Sequence, residues 1–147
     1  LELPDSIVNL PVEKLSKNLF KDNTTIREVK LPQDLIRIGD SCFEKSNIEK
    51  ITFNNNLKRI CKKAFYSCNN IEKITLPEDL LVIESNAFAN CKNLKEIYIS
   101  NQVQNIDDSS FNESDKVTIL CEENSYAIKF AERNNIKYKT IDKNNSL

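Results

Sequence analysis

The side chains best equipped for chemistry in this sequence are five cysteines, at positions 42, 61, 68, 91 and 121. A thiolate can attack carbon or bind zinc, but either task needs helpers. The chain of 147 residues contains no His, which removes the commonest general base and a common zinc ligand. No Cys-x-x-Cys pair is present. Cys68 and Cys91 sit 23 residues apart in equivalent places, and Ser46 and Ser114 hold the corresponding places on either side. Cys42 stands in a slot that elsewhere holds Ala64 and Ala87. Slots that take Ser or Ala as readily as Cys ask for a small, partly buried side chain. Free thiols are the expectation. A Cys68–Cys91 bridge between adjacent strands would lie within disulfide reach, but parallel side-chain vectors would strain it.

Other chemistry is equally short of parts. A single glycine, Gly39, rules out a phosphate-cradling loop of the Walker or dinucleotide type. The 22 carboxylates offer no recognisable pocket-forming loop, so no catalytic residue, metal site or cofactor is expected. Lys and Arg number 21, giving a net charge of −1, and no stretch concentrates them. Nucleic acid and anionic membrane are therefore not expected partners. No apolar run approaches the roughly 20 residues that cross a bilayer, so no membrane insertion is expected within this segment. The absence of Met leads us to expect a processed or excised piece, whose missing signal peptide says nothing of localisation. Asn-x-Ser/Thr triplets at Asn23, Asn112 and Asn144 are what chance provides in an Asn-rich chain.

What must position any function is a repeat. Phe20, Phe43, Phe65, Phe88 and Phe111 succeed one another at intervals of 23, 22, 23 and 23. Cys42, Ala64, Ala87 and Ser110 precede the last four of these. Upstream of the same four lie Leu35 and Ile38, Leu57 and Ile60, Leu80 and Ile83, and Val103 and Ile106. The segments Val29-Lys-Leu31, Ile51-Thr-Phe53, Ile74-Thr-Leu76 and Ile97-Tyr-Ile99 alternate apolar and polar, as half-buried strands do. Pro32 and Pro77 end the pairing of their strands. A single coil cannot bury its own apolar face, so the coils must stack.

Stacking lines up the outward side chains. One column reads Arg27, Glu49, Glu72, Lys95 and the next Glu28, Lys50, Lys73, Glu96. Opposite signs therefore meet between most adjacent coils, which serves register and solubility better than catalysis. The third column, Lys30, Thr52, Thr75 and Tyr98, points outward from the concave strand face. We take it, with Lys50, Lys73 and Glu96, as the candidate partner-contact surface, and Tyr98 as its best single anchor.

The motif Ile71-Glu-Lys-Ile-Thr-Leu-Pro77, Leu80-Leu-Val-Ile83, Ala87-Phe-Ala-Asn-Cys91 resembles the BspA-like leucine-rich repeat family. The resemblance covers roughly residues 26–120. It implies an α/β repeat solenoid, a right-handed leucine-rich repeat superhelix with short parallel strands and a C-terminal helix–strand cap. Residues 1–25 are expected to form a degenerate N-terminal repeat, in which Leu1–Pro4 is the strand and Ile7 and Leu10 the follower positions. Residues 26–120 hold repeats of 22–23 residues, 121–141 a C-terminal cap, and 142–147 a polar tail. In the cap, Asn124 or Ser125 starts a helix facing inward through Ala127, Phe130 and Ala131, and Asn134-Asn135 stops it. Relatives in that family are mostly cell-surface or secreted proteins of bacteria and protozoan parasites. The resemblance thus implies a protein-binding module at the cell surface or secreted, whose partner is a protein, an extracellular host protein being one candidate, and whose role is adhesion. An intracellular scaffold and a passive spacer arm without its own ligand are the alternatives.

Overall fold

The computed structural model describes residues 1–143; the Asn144 triplet and the end of the polar tail lie outside the described residues. In chain order the elements are β1 (Ser6–Ile7), β2 (Leu10–Pro11), β3 (Lys14–Leu15), β4 (Glu28–Lys30), β5 (Arg37–Ile38), β6 (Lys50–Thr52) and β7 (Arg59–Ile60). After these come β8 (Lys73–Thr75), β9 (Val82–Ile83), β10 (Glu96–Ile99), β11 (Asn105–Ile106), β12 (Thr118–Cys121), α1 (Tyr126–Arg133) and β13 (Lys137–Thr140). They wind as a solenoid of leucine-rich repeat type, closed at its C-terminal end by the helix and a final strand.

Coils two to five each contribute one strand to each of two walls. On the first wall β8, β10, β12 and β13 form a parallel ladder, and β4 pairs with β6. On the second, β3, β5, β7, β9 and β11 form an unbroken five-stranded parallel ladder. The alternation read from the sequence is visible in burial: Val29 and Ile74 point inward while their neighbours on either side are exposed. Leu15, Ile38, Ile60, Ile83 and Ile106 form the matching inward row of the second wall.

The arc around each phenylalanine joins the coils a third time. The N–H groups of Asn18, Phe20 and Asp22 donate to the carbonyls of Asp40, Cys42 and Glu44 at 3.0, 2.7 and 2.8 Å. Ser41, Phe43 and Lys45 repeat the pattern onto Lys62, Ala64 and Tyr66, and Lys63, Phe65 and Ser67 onto Ser85, Ala87 and Ala89. Aiming alternate N–H groups at the next coil demands left-handed backbone two residues before and two after Phe. Asn18, Ser41, Lys63 and Asn86 adopt it on one side, and Asp22, Lys45, Ser67, Asn90 and Glu113 on the other. L-residues pay about 1–2 kcal/mol for that conformation, so the inter-coil bonds override local preference. The only glycine serves another need. A Cβ on Gly39 would lie 2.5 Å from the Leu15 carbonyl oxygen of the preceding coil.

Inside, the rings of Phe20, Phe43, Phe65, Phe88 and Phe111 stack with centroids 5.2, 5.2, 5.2 and 5.5 Å apart. Phe130 of α1 ends the row at 5.9 Å, tilted against Phe111. The helix presents Ala127, Phe130 and Ala131 to the stack and stops at Asn134. Ser125 is its N-cap but makes no side-chain capping bond.

The slot shared by Cys and Ser carries a requirement beyond size. Cys68 Sγ donates to the Phe43 carbonyl at 3.0 Å, Cys91 Sγ to Phe65 at 3.2 Å, and Ser114 Oγ to Phe88 at 2.6 Å. Each satisfies a buried carbonyl of the preceding coil, so the slot wants a small donor. The thiols aim at carbonyls and not at each other, and all five cysteines are free and buried.

The first coil differs from expectation. Its surplus residues fold into a hairpin, β1 against β2, around Val8 and Asn9, both left-handed. Glu2 does bridge Lys30 as a strand residue. The follower positions, however, fall to Val12 and Leu15, since Leu15 is the residue in register with Ile38 and Leu10 is 69% exposed. The hairpin lifts Leu10 out of the stack and restores the phase of the chain after it.

Two outcomes are expected in denaturant titrations. Phe65→Ala, sandwiched and fully buried, should cost about 3–5 kcal/mol, and Phe20→Ala, covered on one face, clearly less. Cys91→Ser should be near neutral, whereas Cys91→Ala, which strands the Phe65 carbonyl, should cost about 1–3 kcal/mol.

Candidate functional site

The outward face of the first wall is built by the strands β4, β6, β8, β10, β12 and β13. Lys30, Thr52 and Thr75 are exposed there, as are Lys50 and Lys73, while Glu96 is half-buried. Neighbouring coils hold Arg27 with Glu49 at 3.7 Å, Lys95 with Glu72 at 2.9 Å and Lys73 with Glu96 at 3.5 Å. Lys30 pairs with Glu2 at 2.9 Å. Glu28 and Lys50 are opposite each other in register. These exposed pairs each contribute little to stability, but they leave the face locally neutral and open.

Tyr98 departs from its expected role. It is 2% exposed, set between the adjacent strands β8 and β12. Thr75 and Leu120 flank it in register, and its hydroxyl lies 3.1 Å from Glu78 and 3.0 Å from Glu122. Lys143, beyond β13, reaches back to the other Glu78 oxygen at 2.9 Å. Asn101 holds the other Glu122 oxygen at 3.2 Å. Burial first, then the two carboxylates, push the Tyr98 phenol above the ordinary tyrosine range. Tyr98 is thus a knot tying three coils together, and a partner would meet Thr75, Glu78 and Glu122 before it.

The face is interrupted once. Among the described residues β6 and β8 form no ladder, although β4–β6 and β8–β10 do. Two sequence features coincide with the gap. Ser46-Asn47-Ile48 is one residue shorter than Cys68-Asn69-Asn70-Ile71, and the equivalent repeat positions carry like charges, Glu49 with Glu72 and Lys50 with Lys73. An open depression of about 710 Å³ lies over the gap, with Asn69, Asn70 and Asn93 among its lining.

The second wall has a different charge pattern. Lys14, Arg37 and Arg59 are in register on β3, β5 and β7 and are exposed. Across these three coils, residues 13–18, 36–41 and 58–63 carry seven cations and two carboxylates. The equivalent residues 81–86 and 104–109 carry three carboxylates and no cation. Sequence reasoning misses this grouping, because the cations lie 22 and 23 residues apart and vanish in the overall balance. The signal that could have found it is the cation immediately preceding Leu15, Ile38 and Ile60.

For metal or nucleophilic chemistry the described residues offer little. Asp40, Cys61 and Glu84 bring potential ligand atoms within 4.8 Å of one another. Those of Cys61 and Glu84 are already engaged: Arg37 Nε donates to Cys61 Sγ at 2.9 Å, and Glu84 accepts from Arg59 at 2.5 Å and from the Lys62 N–H at 3.0 Å. Burial pushes the thiols of Cys42, Cys68 and Cys91 up to about 12, so they stay protonated at neutral pH.

Comparison with known proteins agrees with this geometry. A family model described as a BspA type leucine-rich repeat region matches residues 4–144 in six copies. A crystal structure of a T. pallidum leucine-rich repeat protein superposes with a TM-score of 0.79 at 25% identity, over 82% of this chain and 57% of that one. A leucine-rich cell surface protein from Faecalibacterium prausnitzii A2-165 gives 0.75 at 22% identity, over 86% and 32%. The pneumococcal vaccine antigen PcpA gives 0.73 at 16% identity, over 97% and 41%. The last two likenesses concern the fold alone. The chain spans from a third to somewhat over half of these structures. No curated protein matches the sequence.

Tyr98→Ala should behave as a core truncation and cost on the order of 3–5 kcal/mol in chemical denaturation. A cost within about 0.5 kcal/mol, typical of surface positions, would show that the knot is not formed.

Proposed function

Because this chain belongs to the BspA-type leucine-rich repeat family, we propose that it is a protein-binding module of a bacterial cell-surface or secreted protein, working in adhesion. The observation that carries the reading is the outward face of the first wall. Short hydroxyl side chains, Thr52 and Thr75, are exposed there between neutralised ion pairs, so a partner can take their hydrogen bonds at small desolvation cost. Extended sheet faces are where repeat solenoids ordinarily bind. The descriptions of the F. prausnitzii protein as a cell surface protein and of PcpA as a vaccine antigen support the location. The solenoid's interior is filled by packed side chains, and its buried thiols are protonated, which supports a role without catalysis.

A second reading, an intracellular scaffold, is favoured by one observation: five cysteines and no disulfide among the described residues. Such usage suits a reducing compartment. Against it, Cys68 and Cys91 occupy a slot that Ser114 fills with the same hydrogen bond, so their presence needs no special redox environment.

The test replaces Thr52 and Thr75 by Arg, two exposed changes that leave the core alone. Binding to a panel of extracellular-matrix proteins is measured by surface plasmon resonance. We expect at least one partner at micromolar concentration, and a loss of about tenfold or more, roughly 1.4 kcal/mol, in the double variant with its melting temperature unchanged. No partner in the panel would leave the spacer arm ahead, and an unaffected double variant would move the site off this face.

A further inference from the structure

On the first wall, adjacent coils mostly match opposite charges, and where equivalent positions carry like charges, at Glu49–Glu72 and Lys50–Lys73, the ladder opens. The second wall breaks this rule and keeps its ladder. Lys14, Arg37 and Arg59 stand side by side in register on three hydrogen-bonded strands. Like charges directly opposite each other destabilise a sheet. Departures from a local rule that the rest of a protein obeys gather at functional sites.

Part of the row is neutralised: Arg59 is paired with Glu84 and Lys58 with Asp79, and Arg37, whose Nε donates to the Cys61 sulfur, feels the charges of Glu84 and Asp40. Lys14, Lys17 and Lys62 are exposed and make no ion pair among the described residues. The strands stand about 4.8 Å apart, so three of them set cations across about 10 Å, with Lys17 and Lys62 in the turns just beyond. Ser16 and Asn18, on either side of Lys17 in sequence, are exposed as well.

From this we infer that the second wall, over coils one to three, is a binding stripe for a linear sulfated polysaccharide. Guanidinium forks match the oxygens of an anionic oxo group, and lysines add point charges. The occupant is a sugar polymer in preference to nucleic acid because the stripe contains no aromatic residue on which a base could stack. Phe20, Phe43 and Phe65, the aromatics nearest in sequence, lie in the ring stack, and Tyr66 has Lys63 over its ring at 5.3 Å. The face ends where Glu84, Asp107 and Asp108 begin, which fixes the bound chain toward the N-terminal coils.

The test measures retention and affinity on heparin, with purified protein and no protein partner present, so its outcome is separate from that of the matrix-protein panel. Wild type should bind heparin with an affinity that falls about a hundredfold or more between 50 and 200 mM salt, as roughly five ionic contacts require. Replacing Lys14, Lys17 and Lys62 together by Gln should weaken binding about tenfold or more with an unchanged circular-dichroism melt. A control with Lys50, Lys73 and Lys139 changed to Gln loses the same charge from the first wall and should bind as wild type does. Equal binding by the first triple variant, equal loss in the control, equal affinity for oligo(dT) of the same length, or no retention at 50 mM salt would each overturn the inference.

Discussion

Each coil carries backbone donors and acceptors that it cannot satisfy internally, and the next coil must meet them. Short strands on two walls and the arc around Phe do so at three places on the circumference. The geometry of that third place explains why nine residues of ordinary side chain, from Asn18 to Glu113, accept left-handed backbone. The lone glycine answers to the second wall, where it lets two coils approach at Leu15. The aromatic row stems from the same constraint, since coils held at one spacing on all sides place successive rings 5.2 to 5.5 Å apart.

Much of this was legible in the residues. The phenylalanine interval, the alternating triplets and the inward face of the terminal helix are local patterns, and local patterns survive into the fold. The cysteine slot was half legible. Its exchange with Ser signalled smallness, but the carbonyl it serves lies some 25 residues away in sequence and belongs to the preceding coil.

What escaped depended on segments far apart in the chain. Tyr98 alternates as an outward residue should, but it lies between the adjacent strands β8 and β12, with Glu78 and Glu122 at its hydroxyl. The hairpin at Val8-Asn9 has no glycine to announce it, so the phase of the first coil could not be counted from Leu1. The cations of the second wall look scattered until stacking sets them on adjacent strands. In a solenoid, neighbours in space are one repeat apart, and a composition summed along the chain averages away whatever one wall concentrates.

The missing ladder between β6 and β8 has a mechanical side. At every other level from the second coil to the fifth, two sheets and the phenylalanine arc share the load between adjacent turns. At this level the first wall drops out, while β7 and β9 remain bonded on the second. The arc from Lys63 to Ser67 also stays bonded there, so this join is held at two places on its circumference instead of three. The first wall is therefore divided into two sheets, and the division falls between Thr52 and Thr75.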